Sequence, residues 1–159
     1  MRPLLNKECL DLAFSYAGMM SGCNKVAVGS VIVKDNVIIG MGANKAMPDL
    51  CKSPRGCLRV EKYGEDSKAH RNPEDCRAIH SEIDAICMAA KSGASTEGGA
   101  IYVTRYPCES CAKAIVASGI KKVIYGGTAD ISDETRRILD EGYVDCYKVD
   151  GWREDNSDR

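Results

Sequence analysis

The sequence predicts a single α/β domain over residues 1–159, in which helices pack on a mixed five-stranded sheet. Two observations support this prediction: a two-stranded hairpin early in the chain, and an alternation of β-rich and helical segments after it. Strands that alternate with helices are usually parallel, whereas a hairpin is antiparallel, so the sheet is expected to be mixed. With 159 residues, 44% of them hydrophobic, the chain suits one core.

The first half of the chain predicts one helix and a hairpin. The helix covers residues 7–20, with Asn6 and Gly22 as its expected N-cap and terminator. The strands Val26–Val33 and Val37–Met41 are joined by a short polar connection. The large apolar side chains expected in the core from the helix are Phe14, Met19 and Met20.

A long segment from Ala43 to about Asp75 contains several prolines, glycines and charges but no sustained periodicity. A loop of this length inside a compact domain is usually functional or held in place by something. The elements predicted after it are a helix from Cys76 or His80 to Lys91, a strand Ala100–Thr104, a helix Glu109–Ser118, a strand Lys122–Tyr125, a helix Asp133–Glu141 and a strand Val144–Val149. The tail from Trp152 is polar, and no element is predicted there.

Composition excludes several classes of protein. Lys7, Glu8 and Asp11 interrupt any early apolar run, and no stretch of about 18 apolar residues could span a bilayer, so we expect a cytoplasmic protein without a membrane partner. In that reducing compartment nine cysteines favour metal binding or catalysis over disulfides. The net charge of −1 and the scattered basic residues argue against a stable nucleic-acid partner.

The residues that carry chemistry stand at the predicted starts of two helices. One helix opens with His80-Ser81-Glu82, and the next with Pro107-Cys108-Glu109-Ser110-Cys111. The pair H-x-E and P-C-x-x-C is typical of zinc-dependent nucleobase deaminases. A Cys-x-x-Cys alone could be a redox pair, and a lone His an ordinary polar residue, but the combination favours a metal site.

His80, Cys108 and Cys111 are the predicted ligands of a catalytic zinc. Cysteines three positions apart share a helix face, and the N–H groups at a helix start lower the thiol pKa. Three protein ligands leave a fourth position open, which distinguishes a catalytic zinc from a structural one. Glu82 is the predicted catalytic proton carrier, and it can reach the same site as His80 only if the helix begins at about His80.

Five segments carry a resemblance to a known family: Cys23 to Gly29, Gly42 to Asn44, Gly56 to Arg59, Cys76 to Glu82, and Tyr102 to Lys113. On these residues the chain resembles the deoxycytidylate (dCMP) deaminases of the cytidine deaminase superfamily. The resemblance implies a three-layer α-β-α sandwich and zinc-dependent hydrolysis of dCMP to dUMP and ammonia. It also implies Asn44 at the sugar hydroxyl, Tyr106 beside the base, a homohexamer, and dCTP and dTTP as effectors.

Two departures from the family pattern lie close to the site. Gly42-Ala43-Asn44-Lys45 stands where the family usually has Gly-Tyr-Asn-Gly, which removes an aromatic ring and adds a cation. His80-Ser81-Glu82-Ile83-Asp84 stands where it has His-Ala-Glu-x-Asn, which adds a negative charge. Both departures bear on the choice of substrate and effector, whereas the predicted zinc ligands are unaffected.

Four further cysteines predict a second, structural zinc. A four-thiolate tetrahedron could hold the polar insert to the sheet, and similar family positions favour a metal there. His70 is a chemically sound substitute for Cys57 as a ligand. The alternative is that the four cysteines are unrelated and bind no metal. The predicted ligands are Cys23, Cys51, Cys57 and Cys76.

Other functions remain open at this point. The catalytic motif is specific for the removal of an amino group and does not depend on what else the ring carries. Cytidine, deoxycytidine, guanine or a pterin-like ring are therefore alternative substrates. An inactive zinc-binding structural module would lack the proton carrier, and Glu82 is present. A nucleic-acid editor is disfavoured by the charge.

Overall fold

The computed structural model describes residues 2–23, 26–46, 57–64, 76–127 and 131–153. Its helices are α1 (Asn6–Met20), α2 (Leu58–Tyr63), α3 (Ser81–Lys91), α4 (Glu109–Ala117) and α5 (Asp133–Glu141). Its strands are β1 (Gly29–Lys34), β2 (Val37–Ala43), β3 (Lys45–Ala46), β4 (Ala78–Ile79), β5 (Ala100–Val103), β6 (Lys122–Tyr125) and β7 (Asp145–Lys148). None of the helices in these ranges has the length and apolar character needed to cross a bilayer.

The main sheet has five strands in the order β2-β1-β5-β6-β7. β1 runs antiparallel to both β2 and β5, whereas β5, β6 and β7 are parallel to one another. The predicted mixed five-stranded sheet is therefore confirmed. β3 and β4 pair separately as a small antiparallel ribbon.

The β1–β2 hairpin turns on two residues, Asp35 and Asn36, whose φ angles are 50° and 62°. Positive φ at both central positions is the geometry of a type I′ turn, which matches the twist of the strands and which Asp and Asn tolerate. Lys34 pairs with Val37, so it ends β1 instead of belonging to the connection.

Helices cover both faces of the sheet. On one face, alternate side chains of β1, β5 and β6 pack against α3, α4 and α5. On the other face, the intervening side chains pack against α1. The first cluster includes Ile32, Ala85, Ile101, Ala112, Val123 and Leu139, and the second includes Leu10, Ala13, Val31, Tyr102 and Ile124.

The buried stripe of α1 contains Leu10, Ala13 and Ala17, which stand at the expected helical spacing in the sequence, but it does not contain the large residues predicted with them. Phe14, Met19 and Met20 are 38%, 74% and 45% exposed, so their assignment to the core was wrong. The close approach of α1 to β1 explains this, because a Cβ at Gly29 would lie 1.9 Å from the Ala13 carbonyl oxygen. Only small side chains fit such a contact, and Ala13 and the neighbouring Ala17 are buried there.

Several element boundaries also differ from the prediction. α1 is preceded by Leu5 and followed by Ser21, so Asn6 and Gly22 are not its caps. The predicted long loop includes α2 and β3, and α3 begins at Ser81, which agrees with the predicted start at His80 and not with the one at Cys76. The reason for the last difference is tertiary, since the two residues of β4 pair with β3 and hold the chain extended up to His80.

Gly42 allows β2 to lie directly against the start of α3. A Cβ at this position would lie 2.1 Å from the Ser81 carbonyl oxygen and 2.4 Å from the Ala85 nitrogen. Because both are backbone atoms, a side chain can be accommodated only if α3 moves. We expect Gly42→Ala to lower the free energy of unfolding by about 1–3 kcal/mol, as measured by denaturant titration.

Gly18→Ala is the matched control for Gly42→Ala. A Cβ at Gly18 meets none of the described atoms within 4 Å, and Gly18 lies inside α1. Alanine is favoured over glycine in a helix by up to about 1 kcal/mol, so this variant should be as stable as the wild type or more stable. Equal stability of the Gly42→Ala variant and the wild type would contradict the packing argument.

Candidate active site

The start of α3 carries His80 and Glu82. His80 is the N-cap residue, with extended backbone (φ −75°, ψ 152°), and Glu82 lies in the first turn. The helix start agrees with the one that the predicted roles of these two residues require. Glu82 is only 4% exposed, which is unusual for a carboxylate and places it inside the protein.

The start of α4 carries the two cysteines in the same way. Cys108 is the N-cap residue, with extended backbone (φ −81°, ψ 171°), and Cys111 is buried in the first turn. The approach to this helix is held by Thr104, whose Oγ1 accepts a hydrogen bond of 3.0 Å from the Gly29 N–H of β1. The sheet therefore positions the starts of both helices.

The two helix starts bring His80, Cys108 and Cys111 together. The Nδ1 atom of His80 lies 3.4 Å from each cysteine Sγ. In the described part of the chain this is the one group of at least three His, Cys, Asp or Glu side chains whose ligand atoms all lie within 4.8 Å of one another. Ligands of a tetrahedral zinc, with Zn–S and Zn–N near 2.3 and 2.0 Å, are separated by about 3.5 Å, so the group fits this metal.

The electrostatics of the group also suit a metal. The hydrogen bond with Cys111 is the main cause that lowers the pKa of Cys108 to about 3, and that with His80 acts in the same direction. The contact with Cys108, together with burial and the charge of Glu82, raises the pKa of Cys111. A divalent cation held by the group would favour the thiolate form of both sulfurs.

Glu82 is held beside this group. Burial is the main cause that raises the pKa of its carboxyl, and the charge of His80 opposes that effect. The Oε2 atom accepts a hydrogen bond of 3.1 Å from the Ser81 hydroxyl. A buried carboxyl with a raised pKa next to a metal site is a typical arrangement for proton transfer.

A cavity of about 490 Å³ opens beside these residues. That volume lies in the range usual for pockets that bind small ligands. Apart from the metal group and neighbouring residues of α4, its lining includes Ile79, Ile83, Tyr106, Ser132 and Thr135. Tyr106 is thus part of the cavity wall, and its contact with a base remains a prediction.

The two departures from the family pattern contact each other. The Nζ of Lys45 lies 2.9 Å from Oδ2 of Asp84, and the same carboxylate oxygen accepts a hydrogen bond of 3.1 Å from the Ala43 N–H. The added cation and the added anion thus neutralise each other. The pair ties the segment that follows β2 to the first turn of α3.

The side chain of Asn44 forms hydrogen bonds with the Ser21 hydroxyl and with two backbone groups nearby. Its Oδ1 accepts hydrogen bonds from the Ser21 hydroxyl at 2.7 Å and the Val28 N–H at 2.8 Å, and its Nδ2 donates to the Val26 carbonyl at 2.8 Å. Asn44 is not among the residues that line the cavity. A sugar contact from Asn44 therefore remains a prediction, while its contacts organise the residues around Cys23.

The predicted second metal site lies partly outside the described residues. Cys51 and His70 fall there, while Cys23, Cys57 and Cys76 are half-buried free cysteines. Within the described ranges these three do not form a group of metal ligands. The second zinc stays a prediction.

Several residues near the site were missed by sequence reasoning. Ser30 lies 2.7 Å from Ser81, both hydroxyl oxygens being buried, and nothing in its local sequence indicates this contact. Ser132 and Thr135 reach the cavity through α5, which the sequence places only as a helix. Arg59 contributes a positive charge that lowers the pKa of His80, although hydrogen bonding to Cys108 raises that pKa overall. A serine in place of the usual alanine in His-Ala-Glu was the available signal for Ser81.

Two helix starts that bring a candidate metal group together at one edge of a mixed α/β sheet define a protein of the cytidine deaminase-like fold class. The chain belongs to the MafB19-like deaminase family, whose model it matches over residues 6–140. It is 35% identical over 132 residues to the deoxycytidylate deaminase of Mycobacterium phage D29, which covers 78% of this chain and 95% of that relative. The resemblance to the dCMP deaminases is therefore confirmed.

Another relative and a solved structure agree with this assignment. ComE operon protein 2 of Bacillus subtilis (strain 168) is 35% identical over 133 residues, which is 83% of this chain and 65% of that protein. The dCMP deaminase of the cyanophage S-TIM5, solved in complex with dCMP and dUMP, matches with a TM-score of 0.72 and 27% identity over 94% of this chain and 99% of that chain. The chain spans less than two thirds of the length of some curated relatives, ComE operon protein 2 among them.

Proposed function

We propose that this chain hydrolyses dCMP to dUMP and ammonia with a zinc ion at its active site, a reaction that supplies a precursor of dTTP. The observation that carries the proposal is the buried Glu82 carboxylate beside the His80, Cys108 and Cys111 group. A proton carrier and a three-ligand metal site next to an open cavity are the parts that hydrolytic deamination needs. The phage D29 relative supports dCMP as the substrate, since the chain spans 95% of it.

His80, Cys108 and Cys111 would hold the zinc, which supplies a Lewis acid that makes water acidic enough for attack near neutral pH. Glu82 accepts a proton from the attacking water and delivers it to N3 of the cytosine ring. A second proton, from the new hydroxyl on C4, passes through the same carboxylate to the departing amine. Burial raises the pKa of Glu82, which helps the carboxyl to hold the proton between the two transfers.

The cavity can accept a pyrimidine nucleotide. Ile79, Ile83 and Tyr106 offer apolar surface to a flat base. The cation of Arg59 is close enough to lower the pKa of His80, and its buried Nε has no hydrogen-bond partner among the described residues. The positive charge of Arg59 near the site is compatible with a substrate that carries a phosphate.

The proposal is tested by comparing the rates at which the protein deaminates a panel of nucleotides, nucleosides and a free base. We expect dCMP to be converted with a kcat/KM at least about 10-fold above that of deoxycytidine, because binding energy from the remote phosphate is available at the reacting ring. Ammonia release is measured for dCMP, CMP, dCTP, cytidine, deoxycytidine and guanine. Equal efficiency with dCMP and deoxycytidine would indicate a nucleoside deaminase, and conversion of guanine alone would indicate a purine deaminase.

The finer properties implied by the resemblance belong to the same proposal. They are a homohexamer, control by dCTP and dTTP, the sugar contact of Asn44, a single domain over residues 1–159 and a cytoplasmic location. The structural zinc of Cys23, Cys51, Cys57 and Cys76, with His70 as substitute ligand, is proposed on the spacing of these residues in the sequence. Metal analysis of reduced protein should then give about two zinc ions per chain.

A further inference from the structure

A chain of buried hydroxyl groups ends on the Glu82 carboxylate. Ser30 in β1 and Ser81 in α3 are both 0% exposed, and their Oγ atoms lie 2.7 Å apart. The Ser81 Oγ in turn lies 3.1 Å from Oε2 of Glu82. These contacts connect the central sheet to the proposed proton carrier without passing through a metal ligand.

The direction of these hydrogen bonds follows from the number of hydrogens. Each hydroxyl has one hydrogen, and a carboxylate can only accept. Ser81 donates to Glu82, so its oxygen is left to accept from Ser30. The order is therefore Ser30 to Ser81 to Glu82, and the Ser30 hydroxyl has its hydrogen committed to Ser81.

We infer that Ser81 is a positioning residue for Glu82, an inference that rests on the proposed deaminase function. The Ser81 hydroxyl donates to Oε2, and this contact holds that oxygen in place. Fixing one oxygen also fixes the plane of the carboxylate, which must face first the attacking water and then the ring nitrogen. The dCMP deaminases that this chain resembles usually have alanine here, so the hydroxyl is a feature of this chain.

The packing around Ser81 supports this role. Gly42 lets β2 approach the Ser81 carbonyl, and this contact holds the first turn of α3 against the sheet. Ser81 therefore has a rigid backbone, and this alone places its hydroxyl next to the Glu82 carboxylate, to which it donates. A donor that is fixed in this way orients its acceptor at a low cost in conformational entropy.

Two single variants separate positioning from a merely structural role. Ser81→Ala removes the hydrogen bonds to both Ser30 and Glu82, whereas Ser30→Ala removes only the bond between the two serines. We expect Ser81→Ala to lower kcat for dCMP about 5-fold to 30-fold with KM within about twofold of wild type. Ser30→Ala should keep kcat within about twofold of wild type, because the Ser81 hydroxyl can still donate to Glu82.

Thermal unfolding and zinc content are measured for both variants beside the kinetics. Similar melting temperatures and zinc contents in the two variants, with kcat lowered only in Ser81→Ala, support the inference. A wild-type kcat in Ser81→Ala, or equal losses in both variants, overturns it and leaves the deaminase assignment intact. Failure of the wild-type protein to deaminate any compound of the panel overturns the proposed function and this inference together.

Discussion

Replacing Glu82 by Gln is expected to lower kcat for dCMP deamination by about 10²-fold to 10⁴-fold, which is the usual contribution of a positioned proton carrier. The variant should keep the fold and the bound metal, because Gln has the same shape and Glu82 is not one of the three predicted ligands. The measurements are steady-state kinetics and zinc content on the same preparation.

Glu141→Gln is the matched control for this experiment. Glu141 ends α5 and is exposed, so removal of its charge should leave kcat unchanged. Near-normal turnover in a zinc-loaded Glu82→Gln protein would show that another group moves the protons. Loss of zinc from that variant would instead show that the carboxylate helps to hold the metal.

Replacing Cys108 by Ala is expected to release one zinc ion per chain and to reduce deamination to the background rate, a loss of at least about 10³-fold. The lost thiolate is one of only two anionic ligands in the group, and two ligands do not retain zinc in competition with water and buffer. The measurement is zinc per chain by elemental analysis, with activity assayed in parallel.

Cys87→Ala controls for the loss of a cysteine as such. Cys87 is exposed on α3, outside the metal group, so this variant should keep the zinc content and the activity. If the second zinc exists, the zinc content of Cys108→Ala falls from about two to one, and otherwise from about one to zero. A Cys108→Ala protein with unchanged zinc content would contradict the assignment of the site.

The sequence alone determined the elements in which local signals agree. β6 and α5 have the predicted bounds, Lys122–Tyr125 and Asp133–Glu141. The run of β-forming residues indicates the strand, and Gly142 indicates the end of the helix. The metal group could also be predicted, since both halves of its motif must stand at helix starts to bring the ligands together. Such signals involve residues close in sequence, which is why they are visible without a structure.

Only the tertiary structure decided which large side chains of α1 stay outside the core and what holds the chain extended before α3. Apolar content favoured Phe14 and Met20 in the core, but the close contact between Gly29 and the backbone of Ala13 admits small side chains only. The ribbon of β3 and β4 delays α3 until Ser81, although the preceding residues have no sequence signal against a helix.

The tail shows the same dependence on contacts between distant residues. Trp152 was expected in a polar tail, yet it is only 5% exposed and its Nε1 donates to Asp11, 141 positions earlier, at 3.1 Å. Its ring lies against Gly126, where a Cβ would come within 2.0 Å of it. No window of local sequence contains these partners.

The contacts around Glu82 have the same origin. The resemblance to the dCMP deaminases marks Lys45 and Asp84 as departures from the family pattern, but their ion pair depends on β2 lying against α3. Ser30 and Ser81 are 51 positions apart, and the packing of β1 against α3 brings their hydroxyls into contact. The sequence by itself therefore indicated the candidate metal group and the proposed proton carrier. The buried surroundings of that carboxylate were decided by the packing of strands on helices, because packing joins residues far apart in the chain.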